Sequence, residues 1–200
     1  MATPDPILGE RFSKALAMAV EIHGDQARKS VDTPYLGHIL GVTSLVIDYG
    51  GNEDQAIAAL LHDGPEDQGG QALLDRIGDE FGPDVKRIVE ACSDTLVEDS
   101  SDKPDWRPRK ERYIAHLDEA QPDELFVSLA DKVFNLRAIV ADYREEGDDL
   151  WDRFTGKRDG THWYYRTLTK VFERRMPGWL AGELRRAMDE LEGLLGVGGQ

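Results

Sequence analysis

Cysteine is nearly absent: Cys92 stands alone among 200 residues. A single thiol excludes an internal disulfide and suits a reducing compartment, so a cytoplasmic location is expected. Cys92 lies in "RIVEACSDTL", among apolar residues at helical spacing, and reads as a buried structural thiol. Long apolar runs are missing too. None approaches the roughly 18 residues that a membrane span needs. The opening "MATPDPILGERFSK" has no basic stretch followed by an apolar one. Neither a signal peptide nor a membrane partner is expected from it. Positive charge is scarce: 24 Lys and Arg face 39 Asp and Glu, a formal net charge of −15. So acidic a chain repels nucleic acid at long range, which argues against DNA or RNA as a partner. A small phosphorylated ligand needs only a local basic patch. Basic residues cluster at Arg28 and Lys29, at Arg107, Arg109, Lys110 and Arg112, and at Lys157 and Arg158.

Alternating strand patterns are rare, and helical spacing is common. A first helix is expected over about 9–23, with Phe12, Leu16, Ala19 and Val20 on one stripe. A second runs from Leu36 to Tyr49 and stops at Gly50-Gly51. A third starts near Glu53 and carries "QAIAALLHD". Others follow at about 71–81, 83–94, 109–119, 123–146, 149–154, 161–175 and 179–195. In the long one, Phe126, Leu129, Val133, Leu136 and Val140 form the apolar stripe. The stretch "TLVEDSSDKPDWRP", about 95–108, is polar and proline-broken and is expected to be a lid over a bound ligand. The fold class is therefore all-α, with about 8–10 helices by this spacing. The length suits one domain, 1–200, with its core over about 9–176 and a C-terminal helix over 179–195.

In "AALLHDGPEDQGG", Ala58 to Gly70, four ionisable groups follow directly on an apolar run: His62, Asp63, Glu66 and Asp67. Pro65 cannot continue the helix, because it has no N–H and its ring collides with the carbonyl four residues back. The helix should break at Asp63–Gly64, with Pro65 opening a new turn. The polar groups then stand at a cavity mouth rather than on a solvated face. Imidazole and carboxylate together suit a divalent first-row ion. Two ligands are too few. His38, in "TPYLGHILGV", and Asp131, in "VSLADKVFNLRAI", are polar groups on otherwise apolar faces. A buried carboxylate is costly unless compensated, and a cation beside it removes that cost. Glu66 and Asp67 lie four residues beyond His62 and Asp63. A carboxylate beside a metal-bound water can serve as general base, which is the logic of a phosphohydrolase. His23, His116 and His162 read as structural or surface residues.

The order His38, His62-Asp63, Asp131 resembles the HD-domain metal-dependent phosphohydrolases. The likeness is closer to the RelA/SpoT hydrolase domain and its stand-alone relatives, the small alarmone hydrolases of the metazoan SpoT homologue kind. "HGDQARKSVDTPYLGHILGV" is similar to their H-x-x-Q-x-R-K and T-P-Y-x-x-H blocks, and "AALLHDGPED" to A-A-L-L-H-D-x-x-E-D. "IGDEFGPDVKRIVEACSD" and "SLADKVFNLRAI" resemble the next two blocks, and "LWDRFTGKRDGTHWYYRTL" a tail found in bacterial members. The resemblance implies an HD-domain helical bundle and hydrolysis of the 3′-pyrophosphate of ppGpp or pppGpp to GDP or GTP plus pyrophosphate. It implies one Mn²⁺ per chain, or another divalent first-row ion, held by His38, His62, Asp63 and Asp131. It implies that Glu66 and Asp67 activate the water, and that Arg28, Lys29 and Asn135 line the nucleotide site. Lys110, Arg112, Lys157 and Tyr164 are candidates for the diphosphate arms.

The chain departs from the pattern at Gly64-Pro65, where relatives often carry bulkier residues, at Gln68 in place of Thr, and at Ile39 in place of proline. None of these removes a proposed ligand. The Gly-Pro pair bears on where Glu66 and Asp67 point. Two hundred residues leave no room for synthetase and regulatory domains, so a hydrolase alone is expected. Fold and metal do not determine the substrate. The alternatives are a phosphohydrolase of another nucleotide, a nucleoside monophosphate or NADPH, and a non-catalytic, metal-stabilised nucleotide sensor. A homodimer stays open.

Overall fold

In the computed structural model, which describes residues 7–28, 32–95 and 105–197, every regular element is a helix apart from one isolated bridge between Ala27 and Pro34. The all-α expectation holds among the described residues. The chain divides into two compact units, Met1–Lys103 and Pro104–Gln200.

The first unit holds α1 (Glu10–His23), α2 (Leu36–Asp48), α3 (Glu53–Leu61), α4 (Gly70–Phe81) and α5 (Pro83–Cys92). A reciprocal cap starts α3. Asn52 Oδ1 accepts from the Gln55 N–H, and Gln55 Oε1 accepts from the Asn52 N–H, each at 2.9 Å. That pairing satisfies donors a helix start would otherwise leave orphaned. Ala56 to Leu61 are then wholly buried, and α3 touches α1, α2 and α5. A helix apolar all round is a core helix, so its C-terminal end is delivered to the interior of the unit. There the helix stops as expected. Pro65 opens a single π-helical turn, Pro65–Gly69, which closes with the Gly70 N–H on the Pro65 carbonyl. Such turns are uncommon and concentrate at functional sites.

The buried face of α1 differs from the expected stripe. Leu16 and Val20 are 36% and 49% exposed, and Ala15, Met18, Ala19 and His23 face inward. Alanines on that face let α1 approach α3 closely, so packing selected the small side chains over the larger ones. Cys92 is buried, in line with a structural thiol.

The second unit holds α6 (Trp106–Leu117), α7 (Pro122–Glu146), a 3-10 segment (Gly147–Arg153), α8 (Lys157–Arg175) and α9 (Trp179–Leu195). Glu124 Oε2 accepts from the Gln121 N–H at 2.7 Å and anchors the start of α7. Leu129, Val133 and Leu136 are fully buried, and Val140 nearly so. They face a core that α7 shares with α8 and α9, to which Phe172, Leu184 and Leu191 also contribute. Helix α6 begins at Trp106, earlier than the expected Arg109, because Pro108 falls in its first turn, where a missing N–H costs nothing. Of the expected 95–108 lid, residues 96–104 lie outside the described residues, as does Lys29.

Candidate metal centre and active site

Helices α2 and α3 and the turn that follows bring three ligand-type atoms to one point. His38 projects from the first turn of α2, and His62 and Asp63 follow the last residue of α3. His38 Nε2 lies 3.3 Å from His62 Nε2 and 3.1 Å from Asp63 Oδ2. His62 Nε2 is also 3.1 Å from Asp63 Oδ2. On a continuing helix, neighbouring side chains would diverge by about 100°. Here the ligand atoms of His62 and Asp63 nevertheless lie 3.1 Å apart. Both imidazoles are almost completely buried. His62 Nδ1 is 2.9 Å from the Ala59 carbonyl, which can only accept, so Nδ1 carries a proton, and in the neutral ring Nε2 presents its lone pair. That orientation is the one a ligating imidazole needs.

The Tyr35 hydroxyl donates to Asp63 Oδ2 at 2.5 Å. Burial alone would raise the Asp63 carboxyl. The charge of His62 and hydrogen bonds from His38 and His62 outweigh it and hold Asp63 well below the usual carboxylate range. Asp63 is thus an anion among imidazole nitrogens, and the donor set of two nitrogens and one carboxylate oxygen fits a divalent first-row cation.

The π turn sets the next two carboxylates. Glu66 is half-buried, and its Oε2 accepts from the Asp94 N–H at 3.3 Å, just past the end of α5. Asp67 is exposed, and its Oδ2 accepts from Gln26 Nε2 at 2.8 Å. Gly64 sits where an added Cβ would lie 3.2 Å from Leu73 Cδ2 and 3.4 Å from Ile22 Cδ1. The departure from bulkier residues is therefore matched by tight packing behind the turn.

The segment before α2 is tied down by its own backbone. The Tyr35 N–H donates to the Gln26 carbonyl at 2.8 Å, and the Arg28 N–H to the Thr33 carbonyl at 2.9 Å. This pairing holds Gln26 and Tyr35, and with them the partners of Asp67 and Asp63. Arg28 is half-buried beside them. Tyr35 and Gln26 are not singled out by the local sequence pattern, which also marks His23 as no more than a structural residue. The signal was their place in the H-x-x-Q and T-P-Y blocks.

In the second unit Asp131, in the middle of α7, is buried with both oxygens engaged. Lys132 Nζ donates to Oδ2 at 2.5 Å and Asn135 Nδ2 to Oδ1 at 2.6 Å. Asn135, expected near ribose or base, thus has its amide nitrogen on Asp131. Burial pulls the Lys132 ammonium down, yet the charge of Asp131 and the phenols of Tyr113, Tyr164 and Tyr165 hold it well above the usual lysine value. Its Nζ sits 4.9 Å from the centre of the Tyr113 ring. Lys110 Nζ lies 5.1 Å from the buried Tyr164 ring, and the Arg107 guanidinium carbon 3.3 Å from the Trp163 ring. Trp106 packs edge-on against Trp163 and Tyr164. Stacked aromatics under cations form a surface suited to a base or phosphates. Arg112 is exposed. Lys157 is exposed at the start of α8 with φ of 50°, and it pairs with Asp152 at 2.9 Å.

Comparison with known proteins gives a consistent picture. Residues 15–162 match the family model described as HD domain. A guanosine-3′,5′-bis(diphosphate) 3′-pyrophosphohydrolase MESH1 from Xenopus tropicalis is 38% identical over 129 residues, covering 63% of this chain and 68% of that protein. The protein of the same name from Homo sapiens is 35% identical over 132 residues, with the same shares covered. A solved structure described as a metazoan ortholog of SpoT that hydrolyzes ppGpp matches with a TM-score of 0.72 at 25% identity, over 98% of this chain and 99% of that one.

Proposed function

The chain belongs to the HD domain family, and on that premise we propose that it hydrolyses the 3′-pyrophosphate of guanosine 3′,5′-bis(diphosphate), giving GDP, or GTP from pppGpp, plus pyrophosphate. The observation that carries the reading is the convergence of His38 Nε2, His62 Nε2 and Asp63 Oδ2 within 3.3 Å of one another. Three electron-rich atoms that close favour a cation between them. In this reading His38, His62 and Asp63 hold Mn²⁺, and Asp131 supplies the fourth protein ligand, as the family order implies. When bound, the ion lowers the pKa of its water and neutralises phosphoryl charge.

The chain's own residues do the rest. Glu66, steadied by the Asp94 N–H, and Asp67, steadied by Gln26, accept the proton of the attacking water and orient it. Arg28 and Lys29 take the nucleotide, an Arg plane suiting a base and a Lys ammonium a phosphate. Lys110, over Tyr164, meets a diphosphate arm, with Arg112 and Lys157 at its edge. Asn135 serves through Asp131. No described helix is long and apolar enough to cross a membrane. A nucleotide substrate and a lone buried thiol agree with work in the cytoplasm.

The test is product analysis. The purified protein is stripped of metal, reloaded with Mn²⁺, given ppGpp, and its products are separated by anion exchange. GDP and pyrophosphate are expected only with metal. Asp63→Ala should abolish them, and Glu66→Ala should cost about a hundredfold or more. Bound metal without turnover of ppGpp would reject the substrate.

A further inference from the structure

Asp67 is the most exposed of the four groups in the "HDGPED" segment, and an exposed carboxylate has no reason to hold one orientation unless something holds it. Behind it runs a short chain of polar contacts into the interior. Gln26 Nε2 donates to Asp67 Oδ2 at 2.8 Å. Gln26 Oε1 lies 2.6 Å from Nδ1 of His23, the last residue of α1, and also accepts from Gln68 Nε2 at 3.2 Å. His23 is fully buried, stacked at a tilt against Tyr35 with ring centres 5.3 Å apart.

With a neutral imidazole at His23, only one arrangement of protons satisfies these contacts. A carboxylate accepts and cannot donate, so the Gln26 amide must turn its nitrogen to Asp67 and its oxygen to His23. The His23 proton must then sit on Nδ1, since a lone pair there would face the Gln26 oxygen. Nε2 keeps its lone pair inside the protein without a hydrogen-bond partner. A buried acceptor left unpaired is costly, commonly about 1–3 kcal/mol. Such a cost persists where the surrounding contacts repay it. Here what it secures is a fixed amide at Asp67.

We propose that His23 and Gln26 form a positioning relay, in which the Nδ1–H of a neutral buried imidazole locks the Gln26 amide so that it presents the Asp67 carboxylate to the reacting water in one orientation. The inference rests on the reading of Asp67 as a catalytic carboxylate. Neither residue of the relay touches substrate. Both act through Asp67, whose Oδ2 is taken by Gln26, which leaves Oδ1 for the water. The relay also explains the H-x-x-Q spacing. The Gln26 N–H is tied to the His23 carbonyl at 3.1 Å, and this tight turn sets the reach between the two side chains.

The experiment compares wild type, Gln26→Ala, Gln26→Glu and His23→Phe as Mn²⁺-loaded full-length chains. Steady-state ppGpp hydrolysis, Mn²⁺ affinity and melting temperature are measured for each. The His23 tautomer is read from its ring nitrogens by ¹⁵N NMR. Gln26→Ala should lower kcat about tenfold to a hundredfold, with KM and Mn²⁺ affinity within twofold of wild type. Gln26→Glu should lose more than Gln26→Ala, because it sets a carboxylate against Asp67. His23→Phe keeps ring volume and removes the donor, and its kcat should fall between wild type and Gln26→Ala. If that variant does not fold, the Gln26 pair carries the test. Wild-type His23 should show its proton on Nδ1. Unchanged kcat in Gln26→Ala, equal losses in Gln26→Ala and Gln26→Glu, or a wild-type proton on Nε2 overturns the relay while leaving the proposed reaction standing. A wild type that leaves ppGpp intact overturns the proposed reaction and the relay with it.

Discussion

Asp63 and Asp131 are both held by short hydrogen bonds, but the chemistry around them differs. Asp63 meets a tyrosine hydroxyl and two imidazoles, and His62, when neutral, turns a lone pair toward it. Asp131 meets an ammonium and an amide, both pure donors where they touch it. The charge of Asp131 is therefore compensated by its own neighbour in sequence, Lys132, whatever else is bound. The charge of Asp63 is compensated only while an imidazole is protonated or a cation takes that place. Asp131 brings its counter-charge with it in Lys132, and Asp63 takes its own from the imidazoles or from a bound cation. A motif search treats the two as equivalent letters in one signature.

The contrast breaks most visibly in stability without metal. At pH 8, where unperturbed imidazoles are neutral, Lys132→Met leaves Asp131 buried without its counter-charge. Urea unfolding in the presence of a chelator should show a loss of about 3 kcal/mol. Asp63→Asn under the same conditions should lose less than about 1 kcal/mol, since it removes a carboxylate from facing lone pairs. Added Mn²⁺ should then raise the melting temperature of wild type and not that of Asp63→Asn. Equal losses in the two variants would mean that the two aspartates are stabilised alike, and the contrast would fall.

A smaller effect separates the turn from the helices on either side. Gly70 joins the π turn to α4 with φ of 51° and ψ of −141°, a backbone that side chains other than glycine's rarely adopt. Gly70→Ala should cost about 1–2 kcal/mol in thermal or urea unfolding. Glu66 and Asp67 lie on that turn, so turnover should fall further than the stability loss explains, while Mn²⁺ affinity holds. Loss of Mn²⁺ affinity in step with turnover would show that the turn serves His62 and Asp63 instead.

Much of this was legible in the sequence, for local reasons. The end of α3 followed from Pro65, which cannot extend a helix, and the burial of α7 from apolar spacing at 129, 133, 136 and 140. His38, His62 and Asp63 were legible because polar residues on apolar faces need compensation. What stayed hidden depended on pairs far apart in the chain. Tyr35 reaches Asp63 across 28 positions and Gln26 reaches Asp67 across 41, and no local pattern encodes either contact. The face of α1 was misread because hydrophobicity ranks Leu16 and Val20 above Ala15 and Ala19, whereas close helix approach selects the small residues. The start of α6 was misplaced because Pro108 read as a breaker, although proline is welcome in a first helical turn. The contact of the Asn135 amide nitrogen with Asp131, one helical turn back, is a further pairing that the family block alone does not specify.

The smallest expected effect concerns protons rather than atoms. Burial depresses the His23 imidazole below its ordinary value, against the opposing hydrogen bond to Gln26 and the charges of Asp63 and Asp67. The folded protein therefore resists protonation at His23 more than the unfolded chain does. In linkage terms the unfolded state binds more protons as pH drops below about 6.5, so stability rises with pH across that interval. The contribution of His23 is fully present above about pH 6.5 and is lost as pH falls through the depressed folded value. The slope for one group cannot exceed about 1.4 kcal/mol per pH unit. Urea unfolding of wild type and His23→Phe at pH 7.5, 6.5 and 5.5 isolates it. The stability of wild type minus that of His23→Phe should fall as pH falls, because only wild type takes up a proton at His23 on unfolding. A constant difference would mean that His23 protonates equally in both states, and the neutral imidazole at the base of the Gln26 contact would then have to be given up.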